Sequence, residues 1–230
     1  MAGKVRSRSD AEKLARVVAT LEKMWGVPEH EPPGKVLDAV LEAILSQNTT
    51  DHNCALAFKS LRRRFRSAKA LAQANSRAIE SAVRPAGMGR QRAATIKRLL
   101  AWAKKNFGAH TLEPIRRMPV DEALALLSSV KGIGVKTAGI VLLFECQREV
   151  MPVDTHIARI SRRLGLAPEK ASPEKIFGLL VPMVAPGKAL STHLNLIWFG
   201  RRICRKRNPL CGECPVWDEC VWPFKISRLF

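Results

Sequence analysis

Leu14, Val18, Leu21 and Trp25 recur at spacings of three and four residues, and Val36, Leu37, Val40, Leu41, Ile44 and Leu45 carry the same period. An α-helix gathers such positions on one face, so each run predicts an amphipathic helix. The pattern predicts further helices over 53–65, 76–84, 91–107, 121–129, 136–146, 155–165, 173–185 and 190–202. Short connectors with Pro or Gly separate them, as in Glu31-Pro32-Pro33-Gly34 and Arg84-Pro85-Ala86-Gly87. Ile140 to Phe144 is apolar enough for a buried strand, yet no segment with an alternating pattern could pair with it. The expected fold class is therefore all-α. The first ten residues are polar and basic and are expected to form an arm ahead of the first helix.

Composition places this helical chain among globular proteins, with 47% apolar residues in 230 and no apolar run long enough to span a membrane. Charge changes the picture more. Lys and Arg outnumber Asp and Glu by 39 to 20, giving +19 and a pI near 10.4. A field of that size draws polyanions, and nucleic acid is the commonest; an enzyme for some other anionic substrate is the alternative. Most of the basic runs, such as Arg62-Arg63-Arg64 and Arg162-Arg163, read as solvated helix faces. Met1-Ala2-Gly3-Lys4 lacks the apolar core of a secretory signal, so a reducing, cytoplasmic compartment is expected.

Cys204, Cys211, Cys214 and Cys220 are separated by six, two and five residues, and the first gap holds Arg205-Lys206-Arg207-Asn208-Pro209. Four thiolates within so short a segment converge only on a centre that replaces a hydrophobic core with metal–sulfur bonds. Disulfides are disfavoured by the expected compartment. Zinc ribbons bring together two Cys-x-x-Cys knuckles, and only Cys211 and Cys214 make one, so an iron–sulfur cluster is favoured over zinc. Cys54 and Cys146 stand alone in apolar surroundings and read as small buried hydrophobes.

Between two predicted helices lies Val130-Lys131-Gly132-Ile133-Gly134-Val135-Lys136-Thr137-Ala138. Two glycines in so short a connection imply a tight hairpin whose amides open the next helix, an arrangement suited to a phosphate. A mere helix-connecting turn is the default for Gly-x-Gly alone. Lys136 in the first helical turn and Pro152-Val153-Asp154-Thr155-His156 further on raise it above that default. Asp154 also reads as a plain helix N-cap, and cap and chemistry are compatible.

Val130 to Ala138 followed by Val153-Asp154-Thr155-His156 resembles the helix-hairpin-helix and Gly/Pro–Asp signature of the endonuclease III family of DNA glycosylases. The cysteine spacing is similar to that family's too, and Ile44-Leu45-Ser46-Gln47-Asn48-Thr49-Thr50-Asp51 and His193 to Cys204 extend the resemblance from about residue 35 onward. The resemblance implies a 4Fe-4S cluster on the four cysteines, a hairpin that grips a DNA phosphate through Gly132, Gly134 and Val135, Lys136 as nucleophile and Asp154 as its assisting carboxylate. It implies two helical lobes with a DNA-binding groove between them. Residues 36–148 are expected to form one lobe, and 1–35 with 149–230 the lobe that carries the cluster.

Gln47, Asn48 and Met88 fall where the family places residues that plug the duplex opposite an extruded nucleotide; an ordinary core role is the alternative for Met88. Asn48 stands where many relatives have Gln, and the chain has no Tyr to stack on a lesion. Asp51 and His52 are candidate pocket residues, with an exposed or capping role as the alternative. Arg205, Lys206 and Arg207 are expected to present a cationic ridge to phosphates. Adenine-mismatch relatives carry a catalytic Glu where this chain has Ala43, with Glu42 adjacent, and thymine-mismatch relatives replace the hairpin lysine. The expected function is therefore a bifunctional glycosylase and abasic-site lyase. It would act as a monomer on double-stranded DNA carrying an oxidised pyrimidine or an abasic site, in the cytoplasm on chromosomal DNA. The alternatives are a monofunctional G:T or G:U mismatch glycosylase and a noncatalytic DNA-binding iron–sulfur regulator.

Overall fold

A computed structural model describes the backbone of residues 2–225 and the side chains from Ser9 onward. Among the described residues every regular element is helical, and none is long and apolar enough to cross a membrane. The helices are α1 (Ala2–Trp25), α2 (Val36–Ser46), α3 (Asp51–Arg64), α4 (Ala68–Gln73), α5 (Ser76–Val83), α6 (Gly89–Phe107), α7 (Val120–Ser128), α8 (Val135–Ile140), α9 (Thr155–Arg163), α10 (Pro173–Leu180) and α11 (Ala189–Arg202). The chain divides into two compact units, Pro32–Arg148 and the pair of segments Met1–Glu31 and Glu149–Phe230.

In the Pro32–Arg148 unit, α2 is buried nearly all round, through Val36, Leu37, Val40, Leu41, Ala43, Ile44 and Leu45. Helices α3, α6 and α8 pack against it, and α5 lies along α6. Side-chain caps start three of these helices: Thr50 accepts from the Asn53 amide, Ser67 from Ala70 and Asn75 from Ala78. Each such cap is worth about 1 kcal/mol. The stretch expected as one helix over 136–146 is α8 followed by a π-turn at Val141–Glu145, so the apolar Ile140–Phe144 run is helical rather than extended. Arg116 closes the unit behind it, donating to the Glu145 carboxylate (2.7 Å) and the Gly34 carbonyl (3.0 Å).

The other unit is assembled from both ends of the chain. Leu14, Val17, Val18 and Leu21 of α1 join Ile157 and Ile160 of α9 and Leu196 and Phe199 of α11 in one core. Fully burying a leucine contributes about 1.5–3 kcal/mol, so Leu14 and Leu21, each at most 1% exposed, matter to the whole unit. Where an arm was expected, the backbone is already α1 from Ala2; the side chains of the first eight residues lie outside the described ones. Lys188 and Ser191 both donate to the Glu22 carboxylate, at 2.9 and 2.5 Å, tying α11 to α1.

Candidate active site

The hairpin between α7 and α8 is shaped by two buried anchors, Val130 and Ile133, and by the bond from the Ile133 amide to the Val130 carbonyl (2.9 Å). Its two glycines serve different ends. Gly132 has φ +104, and a Cβ there would lie 2.4 Å from Thr95 Oγ1 on α6, so backbone and neighbour both require glycine. Gly134, the residue before α8, has φ −92 and ψ 172, which any residue adopts, and a Cβ there would meet nothing within 4 Å. The fold does not ask for glycine at that position. What its missing side chain leaves is open space in front of the first amides of α8, which no side chain caps. Val135 follows half-buried, and Lys136 is exposed in the first turn.

Arg98 holds the hairpin from α6, donating through Nε to the Lys131 carbonyl and through Nη2 to Thr95 Oγ1, each at 3.0 Å. Gln47 holds it from the end of α2: its Nε2 donates to the Gly132 carbonyl and to Thr137 Oγ1, both at 3.3 Å. Gln47 is thus bound to the hairpin, while its neighbour Asn48 is exposed with φ +52. Met88, just before α6, is 48% exposed with φ +51, so it is not a core filler.

Arg92, 3% exposed, was not singled out by the sequence. It donates to the carbonyls of Ile44, Gln47 (2.5 Å), Ala86 (3.0 Å) and Gly87 (2.8 Å). The available signal is its register, since Arg92 shares the stripe of buried Ile96, Leu99 and Ala103 at helical spacing. Asp51 and His52 are both exposed, and the cap of α3 is Thr50 rather than Asp51. Cys146 is buried as expected, and burial pushes its thiol up to about 11. Cys54 is only half-buried, with Sγ 3.6 Å from the Glu42 carbonyl; burial and then the Glu42 charge push its thiol up.

In the two-segment unit, Asp154 is half-buried and caps α9, its Oδ1 accepting from the Ile157 amide at 2.8 Å. The preceding turn is fixed by a hydrogen bond between His193 Nδ1 and the Pro152 carbonyl (3.0 Å). Further along the same helix, Arg159 donates to the carbonyls of Cys204 (3.0 Å) and Gly200 (2.8 Å), and Arg163 donates to Cys204 Sγ (3.3 Å) and the Arg205 carbonyl (2.9 Å). Helix α9 therefore begins at the Asp154 carboxylate and ends holding the cysteine loop.

The four cysteines of that loop line one cavity, together with Leu164, Trp217 and Trp222. Four thiols lining one space form the donor set of a metal–sulfur centre. Burial pushes the Cys214 thiol up to about 11 and raises that of Cys220. As ligands the cysteines would bind as thiolates, so a metal centre would have to displace their protons. Of the expected cationic ridge, Lys206 and Arg207 are exposed, whereas Arg205 is half-buried and turns back to donate to the Asn208 carbonyl (2.9 Å), bracing the loop.

Residues 41–185 match the family described as HhH-GPD superfamily base excision DNA repair protein, and residues 204–220 match the iron–sulfur binding domain of endonuclease III. A putative DNA glycosylase of Arabidopsis thaliana is 38% identical over 142 residues; the match takes in 62% of this chain and about half (48%) of that relative's length. Endonuclease III of Thermotoga maritima is 32% identical over 209 residues, 91% of each chain. Among solved structures, a non-covalent endonuclease III–DNA complex superposes with a TM-score of 0.76 at 23% identity, covering 92% of this chain and 95% of that one.

Proposed function

Since the chain belongs to the endonuclease III family of HhH-GPD superfamily base excision DNA repair proteins, we propose that it excises oxidised pyrimidines from double-stranded DNA and then nicks the strand 3′ to the abasic site. Its partner is DNA, and its cofactor is a 4Fe-4S cluster. The observation that most supports this mode of action is the Gly134–Lys136 segment: amides left open at the start of α8, with an exposed amine one residue past Val135. Open amides receive a backbone phosphate, and that contact fixes the register of the neighbouring nucleotide against the amine.

The chemistry assigned to Lys136 starts with attack of neutral Nζ on the anomeric carbon of an extruded nucleotide. The base leaves with the bonding pair, and the sugar, now joined to nitrogen, opens to a protonated imine. That imine acidifies the adjacent sugar carbon. Loss of a proton there expels the 3′ phosphate, and water then hydrolyses the imine and returns the lysine. Breaking the base–sugar bond builds positive charge on the sugar, which the Asp154 carboxylate is assigned to stabilise. Capping uses Oδ1 and is compatible with that task.

Cys204, Cys211, Cys214 and Cys220 are assigned as cluster ligands. When bound, the cluster supplies a rigid structural centre, since neither hydrolysis nor elimination needs an electron. Lys206 and Arg207 are assigned as phosphate contacts. The protein is taken to act as a monomer on chromosomal DNA in the cytoplasm.

Borohydride reduction during incubation with thymine-glycol duplex tests the assignment. A covalent protein–DNA adduct that disappears in Lys136→Ala is the expected result. Base release without an adduct identifies a monofunctional glycosylase, and tight binding with neither product identifies a noncatalytic regulator; either outcome overturns the lyase assignment.

A further inference from the structure

Asn48 and Met88 lie in different loops of the Pro32–Arg148 unit, forty residues apart in sequence, yet they share an uncommon conformation. Both are exposed, and both hold left-handed backbone, at φ +52 and +51, without being glycine. Left-handed backbone costs Met88 about 1–2 kcal/mol, whereas asparagine adopts it at little cost at the third position of a type II turn, which Gln47 at φ −61 and ψ 122 opens. Both loops are tied from below to one group.

The Arg92 guanidinium lies beneath both loops. It donates to Ile44 and Gln47 at the end of α2, directly before Asn48, and to Ala86 and Gly87, directly before Met88. The Arg92 amide makes the first i→i−4 bond of α6, to the Met88 carbonyl (3.0 Å), so the guanidinium reaches back to the loop from which its own helix starts. Two physical features make this more than packing. A buried cation ordinarily pairs with a carboxylate, whereas this one is satisfied by carbonyls. The Ile44 carbonyl is among the last four of α2, which lack helical partners and carry partial negative charge, so the cation both completes them and opposes the helix dipole. The planar fork of five donors reaches two loops at once, which an ammonium cannot reproduce.

We infer that Arg92 is a positioning residue that couples the 47–48 and 87–88 loops, so that Asn48 and Met88 enter the DNA stack as one rigid wedge when a nucleotide is extruded. The inference rests on the duplex-plugging role assigned by resemblance to Asn48 and Met88, and adds to it the element that makes the two act together. Filling a base stack works only if the inserted side chains keep their positions against the restoring force of stacking. Independent loops would yield; loops sharing a buried guanidinium move only together.

The test uses the cluster-loaded protein and a thymine-glycol duplex with 2-aminopurine opposite the lesion, whose fluorescence rises on unstacking. Met88→Ala, Arg92→Met, Arg92→Lys and the Met88→Ala/Arg92→Met double variant are compared by fluorescence amplitude and single-turnover base release. Each single replacement by Ala or Met is expected to slow turnover by about 10-fold to 100-fold and to reduce the amplitude. The double variant should be no slower than the worse single one, because the two residues act as one device. Arg92→Lys should recover part of the loss, and it alone carries the comparison if Arg92→Met does not melt cooperatively. Wild-type amplitude in a folded Arg92 variant, or losses that multiply in the double variant, would overturn the coupling while leaving the wedge intact. Wild-type behaviour of Met88→Ala would instead remove the wedge and the coupling with it.

Discussion

Replacing each hairpin glycine with alanine separates what the fold needs from what DNA needs. In Gly132→Ala the new Cβ must occupy φ +104 and sit 2.4 Å from Thr95 Oγ1 and 2.9 Å from Thr95 Cγ2. Left-handed backbone costs alanine about 1–2 kcal/mol. Thr95 cannot swing aside cheaply: it is β-branched, its hydroxyl donates to the Gln91 carbonyl (3.1 Å), and it accepts from Arg98. Relieving the overlap adds about 1–3 kcal/mol. A total near 3 kcal/mol lowers the melting temperature of a chain this size by about 6–12 °C.

Gly134→Ala meets neither obstacle. Alanine is a poorer N-cap by about 0.5–1 kcal/mol, and it restricts the unfolded chain by a similar amount in the opposite sense, so stability should stay within about 0.5 kcal/mol of wild type. Its methyl group instead occupies the space in front of the α8 amides, and duplex affinity should fall by about tenfold, the scale of one charge-assisted hydrogen bond. Calorimetry and fluorescence anisotropy with an abasic-site duplex measure the two effects. Unaltered affinity in Gly134→Ala would show that the hairpin does not contact phosphate, and an unaltered melt in Gly132→Ala would refute the steric account.

Three further outcomes are expected. Asp154→Asn keeps the cap of α9, because asparagine caps as well as aspartate, so the protein should melt as wild type while base release drops; equal turnover would leave Asp154 with capping alone. Lys206→Ala and Arg207→Ala should each lower the salt slope of DNA binding by about one, measured by titration at several salt concentrations; no change in slope would remove them from the interface. The folded state raises the Cys146 thiol from 9.0 to about 11, so this group's contribution is present below pH 9 and is lost as pH rises toward 11. Melts across that window should fall more steeply for wild type than for Cys146→Ala, and parallel curves would count against the burial effect.

The helices were legible because buried apolar stripes repeat at helical spacing, α2 most clearly. Helix α4 was not, since six residues with a single buried leucine, Leu71, carry no period; its signal is the Ser67 cap. Sequence located the hairpin but could not distinguish its glycines, because the need for Gly132 comes from Thr95, a residue of another helix. Arg205 was read with its basic neighbours, although it braces the loop that displays them. Arg92 escaped notice for a related reason. In a chain with 39 basic residues one more arginine looks solvated, and only its place on the buried stripe of α6 distinguishes it.

Helix α1 packs against residues from the opposite end of the chain, and this sets an order of events during synthesis. Leu14, Val17, Val18 and Leu21 leave the ribosome early, but their partners on α9 and α11 follow only after all of Pro32–Arg148 has been made. At about 5–20 residues per second that delay is on the order of ten seconds. The contiguous unit can collapse in the interval, while an apolar stripe upstream waits bare and exposed to chaperones.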